Sequence, residues 1–168
     1  MTRRAPAPVV VVDYDPAWPA TFARLRERVV EAFGPLALAV EHVGSTAVPG
    51  LAAKPIVDLD VVIADRSVPE VVRRLGRLGY RHEGDLGVPG REAFTTPAGL
   101  PAHHLYVCVA GSDPLLRHLA FRDALRADGR TAGAYADLKR SLAVRLGHDR
   151  VAYTEGKSAF IEQVLAAR

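Results

Sequence analysis

The sequence contains a single cysteine, Cys108, among its 168 residues. One thiol excludes a disulfide within the chain and a zinc site built from several cysteines, and it gives no reason to expect an oxidising compartment. The apolar run Val9 to Val12 is far too short for the core of a secretory signal or for a membrane span. We therefore expect a cytoplasmic protein without a membrane partner.

The chain also carries little net charge, +3 at pH 7. An excess of this size is too small for a protein that coats nucleic acid, so nucleic acid is not expected as a partner, although a local basic cleft for an anionic small molecule is compatible with it. Apolar residues make up 49% of the sequence and charged residues 24%, which is ordinary for a globular protein.

Short apolar segments bounded by glycine and proline predict the strands of a sheet. Residues 38–43 and 56–63 are typical of buried strands, and residues 91–96 and 104–109 of a strand pair. Val9 to Val12 is compatible with one more short strand. Short Val-, Ile- and Leu-rich segments of this kind are typical of strands buried in a mixed sheet.

Helical periodicity appears on both sides of these strands. Apolar residues recur every three or four positions from Trp18 to Phe33, and Ser67 with Glu70 predicts a capping box at the start of a second helix. From Asp113 onward the pattern is entirely helical, with starts near Asp113, Thr131 and Thr154. We predict an α+β fold, with a sheet domain in residues 1–111 and a C-terminal helical bundle in residues 112–168 packed on it as one compact unit.

A loop between the first two predicted strands has the composition of a phosphate-binding turn. Gly44 allows backbone amides to approach an anion closely, and the hydroxyls of Ser45 and Thr46 can donate to phosphate oxygens or bind a metal. The segment is not a Walker loop, because the G-x-x-x-x-G-K-[ST] order is absent.

Two carboxylates follow on the next strand. Asp58 and Asp60 are two residues apart, so both side chains point to one face of the strand while Leu59 points to the other. Two like charges so close together favour a cation between them, and Mg²⁺ is the usual partner of carboxylate oxygens. The alternative is an edge strand whose wet face carries both residues; the Gly-Ser loop upstream favours the metal site.

This arrangement resembles the signature of the DNA polymerase β-like nucleotidyltransferase superfamily: Val43-Gly44-Ser45, twelve intervening residues, then Asp58-Leu59-Asp60-Val61. Nearly the whole chain is similar to the GrpB family of that superfamily. The segments that carry the resemblance are YDPAWPATF from Tyr14, EHVGSTAVPGLAAKPIVDLDV from Glu41, GVPGREAF from Gly87, HLAFRDALR from His118, YADLK from Tyr135 and YTEGKSAFI from Tyr153.

The resemblance implies a nucleotidyltransferase-like mixed sheet and an enzyme that binds a nucleoside triphosphate with Mg²⁺ and transfers a nucleoside monophosphate to an unknown acceptor. Asp58 and Asp60 would be catalytic and hold the metal. Beside Gly44, Ser45 and Thr46, the expected nucleotide- or phosphate-binding residues are Lys54, Arg91, His104, Arg122, Lys139 and Lys157. By spacing alone, solvated surface positions are favoured for most of these cations. Of the two adjacent histidines, His104 is preferred over His103 because it shares a strand face with Tyr106; the alternative is that one of the two is exposed and the other a hydrogen-bonded interior histidine.

One feature of active superfamily members is absent at the expected place, namely a third carboxylate on the neighbouring strand. Glu41, Glu83 and Glu92 are the substitutes that the sequence offers. A catalytically inactive nucleotide- or CoA-binding module is therefore the main alternative, similar to the folding-accessory C-terminal domain of some dephospho-CoA kinases. An RNA-binding or chaperone-like accessory protein is a third class; it would need a broad basic or apolar face.

Overall fold

The computed structural model describes residues 8–167 and is built on a five-stranded sheet flanked by helices. The strands are β1 (Ala39–Val43), β2 (Val57–Ile63), β3 (Arg81–Gly84), β4 (Arg91–Thr95) and β5 (His103–Val109). The helices are α1 (Trp18–Phe33), α2 (Val68–Arg77), α3 (Asp113–Ala127), α4 (Gly129–Leu146), α5 (Arg150–Glu155) and α6 (Ser158–Ala166). The predicted α+β class with a mixed sheet is confirmed.

The strands lie in the order β1-β2-β5-β4-β3. Only β2 and β5 pair in parallel; the other three pairs are antiparallel. In this register Asp60 lies opposite Glu41 of β1 on one side and Tyr106 of β5 on the other. Directly opposed residues share a face of the sheet, so these three side chains belong to the same surface.

One face of the sheet is closed by α1 and α2. Val57, Leu59 and Val61 of β2 point to this face and are buried. Around them pack Trp18, Leu25, Val29 and Phe33 of α1 and Val71 and Leu75 of α2. This apolar contact is the main core of the protein, and it follows directly from the alternation of β2 and from the periodicity of the helices.

The opposite face carries Asp58 and Asp60 and is only partly covered by α3. Leu115 and Leu119 of α3 pack on Val62 and Cys108 at one end of the strands. At the other end α4, α5 and α6 pack on α3 and on the loop between β1 and β2, with Leu125 and Tyr135 against Leu51. A space is left between this end of the sheet and the four C-terminal helices.

Three local expectations are wrong: a strand at residues 9–12, a capping box at Ser67, and a single last helix. Val12 forms only an isolated bridge with Ala53, so residues 9–12 are not a strand. Ser67 lies in a 3₁₀ turn with helical backbone angles and caps nothing, while Glu70 binds Arg73 instead of reaching back, so no capping box forms.

The last predicted helix is two helices, α5 and α6, separated at Gly156. A Cβ at position 156 would lie 2.7 Å from Leu142 Cδ2, so the chain passes α4 too closely for a larger residue. The division into residues 1–111 and 112–168 stays a prediction, and residues 1–7 and 168 lie outside the described part of the chain. Among the helices within residues 8–167, none has both the length and the apolar character to span a membrane.

Candidate functional site

The turn after β1 and the first carboxylate of β2 are in contact. Gly44 has φ +70°, and a Cβ there would overlap with Oδ2 of Asp58, so only glycine fits this position. Ser45 then opens a short 3₁₀ turn, Ser45–Ala47. The turn and the carboxylate that the sequence placed on adjacent strands therefore form one surface.

Asp58 and Asp60 share a face, but their surroundings differ. Oδ1 of Asp58 accepts a hydrogen bond from His104 Nδ1 at 2.7 Å, and the side chain is 25% exposed. Oδ2 of Asp60 accepts from His118 Nδ1 at 2.7 Å, and the side chain is fully buried. Both imidazoles must carry a proton on Nδ1, because a carboxylate oxygen can only accept. Asp58 is thus reachable from outside and Asp60 is closed off.

The buried carboxylate keeps one oxygen without a donor. Within the described residues, Oδ1 of Asp60 has no hydrogen-bond partner. The thiol of Cys108 lies on the same face; burial and the charge of Asp60 raise the pKa of this thiol, so it stays protonated. A side-chain hydrogen bond to Asp60 also contributes to the raised pKa of the thiol, so Cys108 is a protonated neighbour of this carboxylate, although Oδ1 itself has no partner at hydrogen-bonding distance in the described part of the chain.

A cavity of about 490 Å³ opens beside Asp58, between the sheet and the C-terminal helices. All three lysines of the sequence, which has 22 Lys and Arg residues, line it: Lys54, Lys139 and Lys157. The ammonium groups of Lys157 and Lys54 lie 4.8 and 5.6 Å from the ring centre of Tyr153. Lysine side chains normally lie in solvent, so it is unusual that every lysine of the chain lines the same cavity.

Lys139 ties the lysine cluster to the turn. Its ammonium donates to Ser45 Oγ at 2.8 Å and to the carbonyl of Ala52, and it lies 4.7 Å from the ring centre of Tyr135. The residue is only 3% exposed. A buried ammonium with neutral partners alone has no charge that compensates its own.

The pKa values of the lysines reflect this shortage of negative charge. Burial, and then the charges of Lys157, Arg140 and Lys54, lower the pKa of Lys139 to about 7. Burial and the charge of Lys54 lower the pKa of Lys157 to about 8, and burial also lowers the pKa of Lys54. The neighbouring Asp58 carboxylate acts in the opposite direction but does not compensate. An anion in the cavity would restore all three pKa values.

Eight of the eleven predicted site residues line this cavity: Gly44, Ser45, Lys54, Asp58, Arg91, His104, Lys139 and Lys157. The other three do not. Asp60 lies behind His118, Thr46 is buried and bonded to His42 Nε2 at 2.9 Å, and Arg122 donates to Glu41 and to the carbonyl of His42.

The three candidates for a further carboxylate are also placed apart from the cavity. Glu41 shares the face of Asp60 but is ion-paired with Arg122 at 2.8 Å. Glu83 is exposed on β3, and Glu92 points to the far face and pairs with His82. Within residues 8–167, no three acidic, His or Cys side chains form a group suited to holding a metal ion.

Sequence reasoning missed several residues of the cavity wall, namely Tyr106, Arg117, His118, Phe121 and Tyr153. His118, Arg122 and Arg126 form a stripe on α3 that resembles a solvated face, yet all three side chains bond to the sheet or to the turn. Only three of the 22 cationic residues of the sequence are lysines, and this scarcity is the signal that could have identified them as a functional group.

The mixed sheet and its flanking helices form the kind of fold that is also seen in a poly(U) polymerase. A structure of the Cid1 poly(U) polymerase with bound MgGTP superposes with a TM-score of 0.56 at 13% identity, over 80% of this chain and 45% of that one. At this identity the likeness concerns the fold alone.

The chain belongs to the GrpB protein family, whose pattern matches residues 8–167. The crystal structure of conserved protein GrpB from Enterococcus faecalis is similar with a TM-score of 0.85 at 33% identity, over 94% of this chain and 96% of that one. The UPF0157 protein SCO7215 of Streptomyces coelicolor is 39% identical over 150 residues, 89% of this chain and 78% of its own length.

Other relatives are longer than this chain. The UPF0157 protein YqkA of Bacillus subtilis is 34% identical over 155 residues, which are 92% of this chain but only 45% of that protein. A protein named dephospho-CoA kinase from Mycolicibacterium paratuberculosis is 30% identical in an alignment of 179 positions, gaps included, that covers 91% of this chain and 44% of the kinase. The family domain is therefore also found as one part of larger proteins.

Proposed function

We propose that the cavity binds a nucleoside triphosphate and that the protein transfers the nucleoside monophosphate to an acceptor. The observation that carries the proposal is that all three lysines line one cavity beside Asp58, with Lys139 bonded to Ser45 and, among the described residues, without an ion pair to any of the three. Several cations held together at a backbone turn suit a polyphosphate better than a single carboxylate or phosphate.

Aromatic side chains form part of the cavity wall beside the lysines. Tyr135 and Tyr153 are only 4% and 1% exposed, so their rings support the lysines and leave no free face for a base. Phe121, whose ring centre lies 5.1 Å from that of Tyr135, is half-buried and is the ring among these three that a nucleobase could contact.

Asp58 and Asp60 differ in how they could hold Mg²⁺. Asp58 is open to the cavity. Asp60 has an unpartnered Oδ1 but is buried behind His118, so His118 would have to move before Asp60 could share an ion with Asp58. Asp58 and Asp60 would hold the ion, which would neutralise phosphate charge during transfer. His104 and His118 already fix the other oxygens of these carboxylates and so orient them.

In the transfer, an acceptor oxygen or nitrogen forms a bond to the α-phosphorus, the bond from that phosphorus to the bridging oxygen breaks, and pyrophosphate leaves. The acceptor loses its proton to solvent or base. The lysines and the turn would stabilise the charge that collects on the leaving pyrophosphate, and this positioning is the protein's contribution.

A second candidate is a nucleotide- or CoA-binding module without catalysis. It is favoured by the burial of Asp60 beneath His118 and by the engagement of Glu41 with Arg122. The relative that is named dephospho-CoA kinase suggests CoA species as ligands to compare. The same lysines would bind the phosphates of either ligand.

Isothermal titration with the four ribonucleoside triphosphates and with CoA, with Mg²⁺ or with EDTA, tests both candidates. We expect the protein to bind a triphosphate, and Mg²⁺ to increase the affinity. The Lys139→Met variant should bind the triphosphate about tenfold or more weakly. In the Asp58→Asn variant the affinity should no longer depend on Mg²⁺. Arg145→Met, at an exposed position of α4, is the control and should bind like wild type.

The outcomes separate the classes of function. Binding that is equal with and without Mg²⁺, and unchanged in Asp58→Asn, would favour the non-catalytic module. Absence of binding by every nucleotide and by CoA would contradict both and leave an accessory role. Pyrophosphate release in the presence of an acceptor mixture, lost in Asp58→Asn, would establish the transfer itself.

A further inference from the structure

Arg91 is a cation in the cavity without an anionic partner. It opens β4, and its guanidinium carbon lies 4.4 Å from the ring centre of Tyr106. Its Nε is buried and has no hydrogen-bond partner within the described residues. Leaving a buried donor unsatisfied is unfavourable, because the group has lost its hydrogen bonds to water. The guanidinium is held in place by the ring while at least one of its donors is unused.

The other arginines near the site are compensated. Arg117 is ion-paired with Glu162, Arg122 with Glu41, and Arg126 donates twice to the carbonyl of Ala47. Arg117 and Arg91 both line the cavity, yet only Arg91 has no ion pair among the described residues. Its charge is therefore available to a ligand.

The sheet order places Arg91 on the opposite side of Asp58 from the lysines. The lysine cluster gathers at the turn that follows β1, which borders β2 on one side. Arg91 belongs to β4, which lies beyond β5 on the other side of β2. The cavity therefore has two cationic parts, and Asp58, the carboxylate that the sheet contributes to its lining, lies between them.

We propose that Arg91, seated on Tyr106, binds an anionic group of the acceptor, so that the acceptor is a small molecule with a phosphate or carboxylate. The proposal rests on the nucleotide function above. If the triphosphate occupies the lysines, the attacking group must approach the α-phosphorus from the side opposite the leaving pyrophosphate, which is the side of Arg91. A guanidinium binds either planar carboxylate or phosphate through two parallel hydrogen bonds.

The test follows the Nε–Hε resonance of Arg91 by NMR, identified through its absence in Arg91→Lys. Inorganic phosphate and acetate are titrated separately, first into the free protein and then in the presence of saturating, non-hydrolysable α,β-methylene ATP. We expect at least one of the two anions to shift the Arg91 resonance in a saturable way. Bound nucleotide should change the affinity for this anion by less than about twofold. The anion that binds more tightly identifies the acceptor as a phosphate or a carboxylate.

Two variants make the result specific. Arg91→Gln should lower the affinity for the anion in the presence of nucleotide by about tenfold or more. Arg77→Gln, on the far side of the sheet, should leave this affinity unchanged. Thermal unfolding of both variants checks that they are folded.

Failure of this proposal is distinguishable from failure of the nucleotide function. If the nucleotide displaces the anion from Arg91, or if neither anion shifts the resonance, the acceptor site is refuted while nucleotide binding stands. If the nucleotide does not bind at all, but phosphate still shifts Arg91 in Lys139→Met, the anion site is supported and the transferase is refuted.

Discussion

The two faces of the sheet differ in what their residues do. On one face Leu59 and Val61 are fully buried beneath α1 and α2, and the contact is apolar and complete. On the other face Asp58 and Asp60 meet histidines, and α3 leaves a cavity beside them. Alternate residues of the single strand β2 thus serve stability and the candidate site separately.

The cations of the molecule show the same division. Arginines on the outer elements are paired locally, as Arg73 and Arg74 are with Glu70 on α2. The lysines are placed together in the cavity without such partners. The polar face therefore carries an electrostatic cost in the free protein that an anionic ligand would relieve.

Leu59→Ala is expected to have the largest effect on stability. The side chain is fully buried between β2 and α1, so its truncation leaves a cavity and lowers the free energy of unfolding by roughly 2–5 kcal/mol. Urea unfolding measures the loss. Leu116→Ala, at a side chain that is 54% exposed, should change stability by less than about 0.5 kcal/mol. Equal losses in the two variants would contradict the division between the faces.

Gly44→Ala probes the junction between turn and carboxylate. The positive φ and the overlap with Asp58 Oδ2 should lower the free energy of unfolding by roughly 1–3 kcal/mol and abolish nucleotide binding. Gly50→Ala has a similar positive φ of 78° but an open surrounding, so it should lose stability and keep binding. Titration calorimetry beside urea unfolding would show whether binding depends on the turn itself.

Lys157→Met removes one ammonium from the cluster and keeps most of the side-chain volume. Because burial and Lys54 disfavour this charge in the free protein, stability should stay unchanged or rise by up to about 1 kcal/mol, while triphosphate binding weakens about tenfold. A variant that is less stable yet binds normally would show that the lysine serves the fold instead. Arg145→Met is again the exposed control.

The pH dependence of binding should have a definite sign. The pKa values of about 7 for Lys139 and about 8 for Lys157 lie below the ordinary 10.5, and an anion would raise them, so binding takes up protons. Affinity should fall as pH rises from 7 to 9, by no more than about tenfold per pH unit for each proton. Calorimetry in buffers of different ionisation enthalpy counts these protons; affinity that rises with pH would contradict the account.

The stability of the free protein should follow the opposite direction. The unfolded chain holds more protons on these lysines between about pH 7 and the ordinary pKa of 10.5. Their contribution to the free energy of unfolding therefore rises as pH rises through this window. A saturating triphosphate should flatten the dependence, because it keeps the lysines protonated in the folded state.

Much of the fold follows from local patterns. The alternation in residues 56–63 and the periodicity from Trp18 to Phe33 predict β2, α1 and the face on which they meet, because apolar side chains must be buried together. The capping box at Ser67 was wrong because Glu70 binds Arg73 and Arg74 on its own helix. The continuous last helix was wrong because of the close approach of Gly156 to Leu142, a contact between two helices.

The candidate site is predictable where one motif determines it. Gly44, Ser45 and Asp58 come together because a turn and the next strand of an antiparallel pair are neighbours. The burial of Asp60 beneath His118 and the pairing of Arg122 with Glu41 depend on how α3 crosses the sheet. Helix periodicity predicts which residues share a stripe but not whether that stripe faces solvent or another element.

The most direct test is a crystal structure with α,β-methylene ATP and Mg²⁺. The account predicts phosphates bonded to Ser45 and to the ammonium groups of Lys54, Lys139 and Lys157, with the α-phosphate next to Asp58. A nucleotide bound outside this cavity, or a cavity that stays free of nucleotide at saturating concentration, would contradict it.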